Sequence, residues 1–124
     1  MSEKRIETFT EFWPFYVGEH RLPLCRAVHY IGSFAAPATL SFVVMSGRLS
    51  LLPLVLVAGY GPAWVGHFII EKNRPATFTY PVWSLLADYK MLGLFLRGKM
   101  AAEVTRLYGN PSPSKDAPRV TDLD

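Results

Sequence analysis

The chain contains two long apolar runs set between segments in which polar and apolar residues are mixed. The run from 30 to 47 has no charged residue, and the run from 49 to 70 has none beyond what His67 can carry. Arg48 alone separates them. A bilayer core about 30 Å thick requires on the order of 20 helical residues to cross it. The pattern therefore predicts a membrane hairpin of two spanning helices, with Arg48 in the turn.

The segments on either side of these runs carry apolar residues at helical spacing. Aromatic and aliphatic side chains recur along 6 to 16, and Pro14 and then Pro23 are expected to interrupt the helix there. Apolar residues follow one another three or four apart from 82 to 108, where interspersed charges prevent a third span. We expect both segments to be amphipathic helices, lying at the membrane surface or folded over the hairpin.

The predicted fold class is all-α: an integral membrane helical hairpin of two spans with flanking amphipathic interfacial helices. Residues 1–108 are predicted to form a single membrane-embedded domain. The stretch from 109 to 124, rich in Pro, Ser and Asp, is predicted to be a disordered tail. Two helices bury little surface against each other, so a homo-oligomer would be compatible with this fold.

Basic residues lie mainly at the boundaries of the apolar runs. The formal net charge is +3 at pH 7, with Lys and Arg before the first run and after the second. By the positive-inside rule both termini face the cytoplasm, at a bacterial plasma membrane or at the endoplasmic reticulum. The sequence has no basic helix with interleaved aromatic residues, which favours membrane lipids over nucleic acid as partners. The single cysteine, Cys25, excludes an internal disulfide.

The hairpin places two histidines at similar depth. Counted from a turn centred between Arg48 and Leu49, His29 and His67 both lie roughly 28 to 29 Å away at 1.5 Å per residue. Glu71 follows His67 by one helical turn and can point at the same object. His20 precedes His29 by nine residues, and Pro23 between them can turn the chain back over the same membrane face. All three histidines and one carboxylate therefore have access to one layer.

The residues that reach this layer are of the types that bind a metal ion. Neutral imidazole is a common ligand of iron, zinc and copper, and two or three histidines with a carboxylate are the ligands that non-haem iron uses to activate oxygen. The alternative is that each histidine is an interfacial or hydrogen-bonded structural residue. Asp88 could be a ligand or base, although an ion pair with Arg or Lys is the expected arrangement.

A second group of polar residues indicates substrate binding. Arg26 and Arg74 belong to the same layer, and guanidinium suits a carboxylate head group whose tail runs into lipid. Asn73 is assigned to substrate binding with them. The alternatives are phosphate contacts for the arginines and a capping hydrogen bond for Asn73.

Three stretches of the chain resemble a known family. They are FYVGEHRLPLCRAVHYIG at 15–32, WVGHFIIEKNRPATF at 64–78 and YPVWSLLAD at 80–88. The family is the membrane 2-hydroxy fatty acid dioxygenases, once catalogued as a domain of unknown function. The resemblance implies an iron(II)-dependent enzyme of fatty acid α-oxidation that uses O₂ to remove C1, giving a fatty acid one carbon shorter.

The resemblance also implies which residues carry the chemistry. His20, His29 and His67 match the family's histidines and are expected to be catalytic iron ligands, with Glu71 as a ligand or a partner of one. The family pattern HxNPxNxxxH is altered here, because Leu22 and Cys25 occupy the positions of its asparagines.

Two alternatives stand beside the dioxygenase. One is a non-enzymatic membrane protein that binds lipid or acts as a scaffold, with structural histidines. The other is a different metal-dependent lipid enzyme, such as a zinc hydrolase. Metal content separates the three hypotheses, since they predict iron, no metal and zinc.

Overall fold

The computed structural model describes residues 5–120, whose regular elements are all helices, with no strand. This confirms the all-α prediction. The helices are α1 (Phe9–Gly18), α2 (Pro23–Ser46), a 3₁₀ turn (Leu49–Leu51), α3 (Pro53–Trp64), a π-helix (Val65–Glu71), a second 3₁₀ turn (Ala76–Phe78), α4 (Pro81–Leu96) and α5 (Met100–Tyr108).

The chain divides into two compact units. The hairpin unit is Leu22–Pro75, and the flanking unit combines Met1–Arg21 with Ala76–Asp124. Each is described below by itself, and the predicted single domain over 1–108 stays a prediction.

Two helical stretches of the hairpin unit are long and apolar enough to cross a membrane, as predicted. Pro23–Ser46 has 24 residues and Leu49–Glu71 has 23, with mean hydropathy of 1.4 and 1.5. In the most apolar 18-residue part of each stretch, only 28% and 11% of the residues are buried. A core helix of a soluble protein would be mostly buried, so the exposed apolar surface favours contact with lipid.

Glycine lets the two long helices of the hairpin approach closely. A Cβ added at Gly32 would lie 2.5 Å from the carbonyl oxygen of Gly59. Only a residue without a side chain fits at Gly32, as is common where membrane helices pack. Pro23 and Pro53 each stand in the first turn of their helix, where a missing N–H costs no hydrogen bond.

The flanking unit has an aromatic core between α1, α4 and α5. Phe12 is fully buried and its ring centroid lies within 6.2 Å of five other aromatic rings. The α5 face that carries Val104 and Leu107 is also buried. The apolar stripe predicted for the first segment therefore packs partly on protein.

Two predictions about helix ends in this unit are wrong. Pro14 lies inside α1, which continues to Gly18, so this proline removes one backbone donor without ending the helix. The single helix predicted from 82 to 108 is two helices. Gly98 adopts φ 70°, its N–H donates to Phe95 and the N–H of Lys99 donates to Leu94. This pair of hydrogen bonds is a Schellman motif, which ends α4.

The C-terminal stretch has no α-helix in its described part, 109–120. The disordered tail predicted for 109–124 stays a prediction, and its last four residues lie outside the described ones. The placement of the flanking helices over the hairpin likewise stays a prediction.

Candidate metal centre

The hairpin unit brings two buried histidines together. His29 lies on α2 and His67 on the π-helix, and their Nε2 atoms are 3.1 Å apart. The ring planes meet at 89°, and only 4% and 3% of the two residues is exposed. The prediction that the hairpin holds these histidines at one depth is confirmed.

Both rings are anchored through Nδ1. His29 Nδ1 lies 2.8 Å from the carbonyl oxygen of Cys25, and His67 Nδ1 lies 2.7 Å from Oδ1 of Asn73. Because carbonyl and amide oxygens only accept, Nδ1 is the donor in each bond. The lone pair of each neutral ring is then on Nε2, the atom through which the two rings face each other.

The distance between the two Nε2 atoms suits a shared metal ion. Two nitrogen lone pairs 3.1 Å apart repel each other unless a proton or cation is shared between them. Ligand nitrogens about 2.0–2.1 Å from a metal are roughly 2.9 Å apart at a right angle and about 3.4 Å apart at the tetrahedral angle. The observed separation falls between these values, so the residues present fit two ligands of one ion.

Close packing at Gly66 brings the π-helix against α2. A Cβ at this position would stand 2.9 Å from Cγ2 of Val28, 3.0 Å from Sγ of Cys25 and 3.2 Å from Cε1 of His29. Any larger residue would therefore push on the His29 ring itself.

The end of the π-helix explains how Asn73 reaches His67. Lys72 takes the left-handed conformation with φ 59°, and the backbone N–H groups of Lys72 and Asn73 both donate to the carbonyl of His67. The chain therefore reverses direction directly after the π-helix, and the Asn73 side-chain amide contacts the His67 ring. Asn73 was expected to bind substrate or cap the loop, and its contact with a candidate ligand was missed.

Glu71 and Arg26 have other partners in this unit. Glu71 Oε1 accepts a hydrogen bond of 2.6 Å from the N–H of Leu22, where a carboxylate also stabilises the N-terminus of α2. Arg26 is 5% exposed and forms a side-chain hydrogen bond with Tyr30. Arg74 is exposed. Roles for these residues at a metal or a substrate stay predictions.

The third histidine belongs to the flanking unit. His20 is 1% exposed, and its Nδ1 lies 2.6 Å from the carbonyl oxygen of Tyr16. The Tyr16 ring stacks on the imidazole with centroids 4.0 Å apart. The same reasoning puts the His20 lone pair on Nε2. All three histidines are thus buried, and each offers one ring nitrogen as a metal ligand.

Asp88 forms a hydrogen bond with Tyr16. The expected ion pair with Arg or Lys is wrong, because the Tyr16 hydroxyl donates to Asp88 Oδ1. Burial raises the pKa of Asp88 from 3.8 to about 6, and the hydrogen bond from Tyr16 offsets only part of this. The spacing of four residues between Tyr16 and His20 places both on one helical face, but no pattern in the sequence indicates the contact of Tyr16 with Asp88.

Comparison with known proteins decides the family. The chain matches the family described as 2-hydroxy-palmitic acid dioxygenase Mpo1-like over residues 6–100, which is most of its length. The chain belongs to this family. No curated protein and no solved structure matched. The family's description names a dioxygenase of a 2-hydroxy fatty acid, and the resemblance seen in the sequence is confirmed.

Proposed function

We propose that this protein is an iron(II)-dependent dioxygenase that removes C1 from 2-hydroxy fatty acids. With O₂ as the oxidant, the reaction balances as RCH(OH)COOH + O₂ → RCOOH + CO₂ + H₂O. Family membership supports the reaction class. The observation that carries the proposal is the pair of Nε2 atoms of His29 and His67, 3.1 Å apart and each anchored at Nδ1 by an oxygen.

The proposed iron ligands are His20, His29 and His67. His20 lies two residues before Leu22, so its Cα is within about 7 Å of the first residue of the hairpin unit by chain connectivity alone. When bound, the iron would supply activation of O₂ and polarisation of the substrate's oxygens. The three imidazoles would hold it through neutral nitrogens and keep their own protons on Nδ1.

The two departures from the family pattern leave backbone anchors in place. Leu22 offers its N–H to Glu71, and Cys25 offers its carbonyl to His29. Neither bond depends on the side chain, so the loss of asparagine at these positions is compatible with an ordered site. Glu71 is proposed to stabilise the start of α2, or to act as a further ligand.

The substrate is proposed to enter from the bilayer. Its acyl chain would lie along the exposed apolar surface of the hairpin, while Arg26 or Arg74 neutralises the carboxylate. Asn73 would act through His67, whose Nδ1 donates to it. The membrane is proposed to be a bacterial plasma membrane or the endoplasmic reticulum, with both termini cytoplasmic.

The test is turnover of 2-hydroxypalmitic acid by purified protein in detergent with iron(II) and O₂. We expect pentadecanoic acid as the product, and its loss in His29→Ala and His67→Ala. Leu96→Ala, at a residue of the flanking unit that is 63% exposed, is the matched control and should retain turnover. A wild-type protein that binds iron but consumes no 2-hydroxy acid would overturn the proposed reaction.

A further inference from the structure

Three aromatic rings form a column along one face of α1 and the residues after it. Trp13, Tyr16 and His20 follow one another at helical spacing. The Trp13 and Tyr16 rings stack with centroids 5.7 Å apart and planes at 16°, and the Tyr16 and His20 rings stack at 4.0 Å and 29°. All three residues are buried. The imidazole is therefore the terminal member of a stack inside the flanking unit.

Each of the other two rings is tied to an acid on a different helix. Trp13 Nε1 donates to Oε2 of Glu103 on α5 at 2.7 Å. The Tyr16 hydroxyl donates to Asp88 on α4. Hydrogen bonds to a carboxylate are stronger than those between neutral groups. The column is thus held by a hydrogen bond to an acid on α5 and by another to an acid on α4.

Tyr16 contacts His20 in two independent ways. Its ring sets the plane of the imidazole by stacking, and its carbonyl oxygen accepts from Nδ1 and so sets the tautomer. The carbonyl is held by α1, and the hydroxyl tethers the ring to Asp88. Without that tether the phenol can change rotamer, and the imidazole loses the surface against which it stacks.

We propose that Asp88 and Tyr16 are positioning residues, and that their hydrogen bond holds His20 in the orientation that presents Nε2 as a ligand. This inference rests on the proposed function, in which His20 binds the metal. Neither residue needs to touch the metal or the substrate. Partners of this type behind ligating histidines typically change metal affinity by 10- to 100-fold when removed.

A purely structural role is the competing explanation, and the column supplies its own control. Trp13→Phe removes a hydrogen bond to an acid in the same stack and leaves the Tyr16–Asp88 hydrogen bond and the Nδ1 anchor of His20 in place. Tyr16→Phe removes the equivalent hydrogen bond from the ring that stacks directly on His20. Asp88→Leu removes the same Tyr16–Asp88 hydrogen bond by deleting its acceptor. Asp88→Asn keeps an acceptor for the Tyr16 hydroxyl and serves as the conservative rescue.

The first measurement is the affinity of each detergent-purified variant for Co(II), followed by its visible absorption, with the melting temperature beside it. We expect Tyr16→Phe and Asp88→Leu each to weaken Co(II) binding about tenfold. The double variant should be no weaker than either single one, because both break the same bond. Asp88→Asn should bind within about twofold of wild type, and Trp13→Phe should lower the melting temperature while leaving affinity unchanged. Equal affinity losses in Tyr16→Phe and Trp13→Phe would overturn the proposal.

The second measurement needs no metal and separates this inference from the proposed function. In metal-free protein labelled with ¹⁵N-histidine, the wild-type His20 ring should show protonated Nδ1 and unprotonated Nε2. In Tyr16→Phe and Asp88→Leu the imidazole loses its stacking surface and can rotate off the Tyr16 carbonyl, so His20 should shift toward a mixture of tautomers, and in Asp88→Asn it should not. If wild type binds no metal but the tautomers respond in this way, the proposed function fails and the positioning contact stands. An unchanged His20 signal in both bond-breaking variants overturns the positioning role.

Discussion

The hairpin unit and the flanking unit differ in what surrounds their apolar side chains. The hairpin unit buries His29, His67 and Arg26 and exposes most of its large apolar residues. The flanking unit has a buried core of aromatic and aliphatic residues around Phe12. Lipid contact explains the first arrangement, because exposed apolar surface is favourable there and polar groups must find partners inside. The apolar side chains of the two units therefore have different surroundings: lipid for most of those in the hairpin, and protein for those around Phe12.

The largest effect should come from a cavity in the aromatic core. Phe12→Ala removes a fully buried ring and should cost about 3–5 kcal/mol of unfolding free energy. Phe42→Ala, which removes a ring that is 61% exposed on the hairpin, should change it by less than about 1 kcal/mol. Thermal unfolding in detergent measures both. Similar losses at the two positions would show that the hairpin face is covered by protein.

A smaller effect is expected where the hairpin helices touch. Gly32→Ala would put Cβ against the Gly59 carbonyl, and because backbone cannot easily yield, it should cost about 1–3 kcal/mol. Gly61→Ala is the control, since a Cβ there meets nothing within 4 Å and alanine favours helix by up to about 1 kcal/mol. Melting temperatures that fall equally for both would contradict close packing at Gly32.

Removal of the Asn73 amide should weaken metal binding without unfolding the hairpin. Asn73→Ala deletes the acceptor of the His67 Nδ1–H bond, which should reduce Co(II) affinity about tenfold. Lys72→Gly is the neighbouring control, because glycine tolerates the left-handed conformation found there. Calorimetric titration compares them. Loss of affinity in Lys72→Gly alone would mean that the turn, and not the amide, sets the His67 ring.

The smallest predicted effect is the pH dependence of the flanking unit. Asp88 has a raised pKa of about 6 in the folded protein against 3.8 unfolded. A raised folded pKa means that its favourable contribution is complete below the unfolded pKa and is lost as pH rises through the folded one. Because the side chain is only partly buried, the loss should be of order 1 kcal/mol.

Asp88→Asn should remove this dependence. The difference in melting temperature between wild type and Asp88→Asn should grow in favour of the variant from pH 4 to pH 7. Glu103 has the opposite sign, since Arg106 lowers its pKa and its contribution is lost as pH falls, but it is common to both proteins. A constant difference across this range would show that the Asp88 carboxyl is not desolvated.

The architecture of the hairpin could be predicted because membrane spans depend on length and hydropathy alone. Counting residues from Arg48 also brought His29 and His67 to one level, as the structure confirms. The count could not show the π-helix or the contact of Asn73 with His67, because both depend on a wider helical turn and a left-handed Lys72 that no periodicity predicts.

Contacts in the flanking unit were harder to predict from the sequence. The aromatic stripe showed which face of α1 is apolar, but not that Tyr16 would meet Asp88 or Trp13 would meet Glu103. Such pairs join residues 72 and 90 positions apart, and only the packing of α1 on α4 and α5 selects them. Gly98, between Arg97 and Lys99, is a local signal for the end of α4, because glycine readily takes the left-handed conformation that ends a helix.

The most direct test of the account is the metal content of anaerobically purified protein, with wild type compared with His67→Ala and Phe42→Ala by elemental analysis. The account predicts about one iron per chain in wild type and in Phe42→Ala, and none in His67→Ala. Zinc in place of iron would keep the site and contradict the dioxygenase chemistry. No metal in wild type after reconstitution with iron(II) would contradict the metal centre itself and favour a lipid-binding protein with structural histidines.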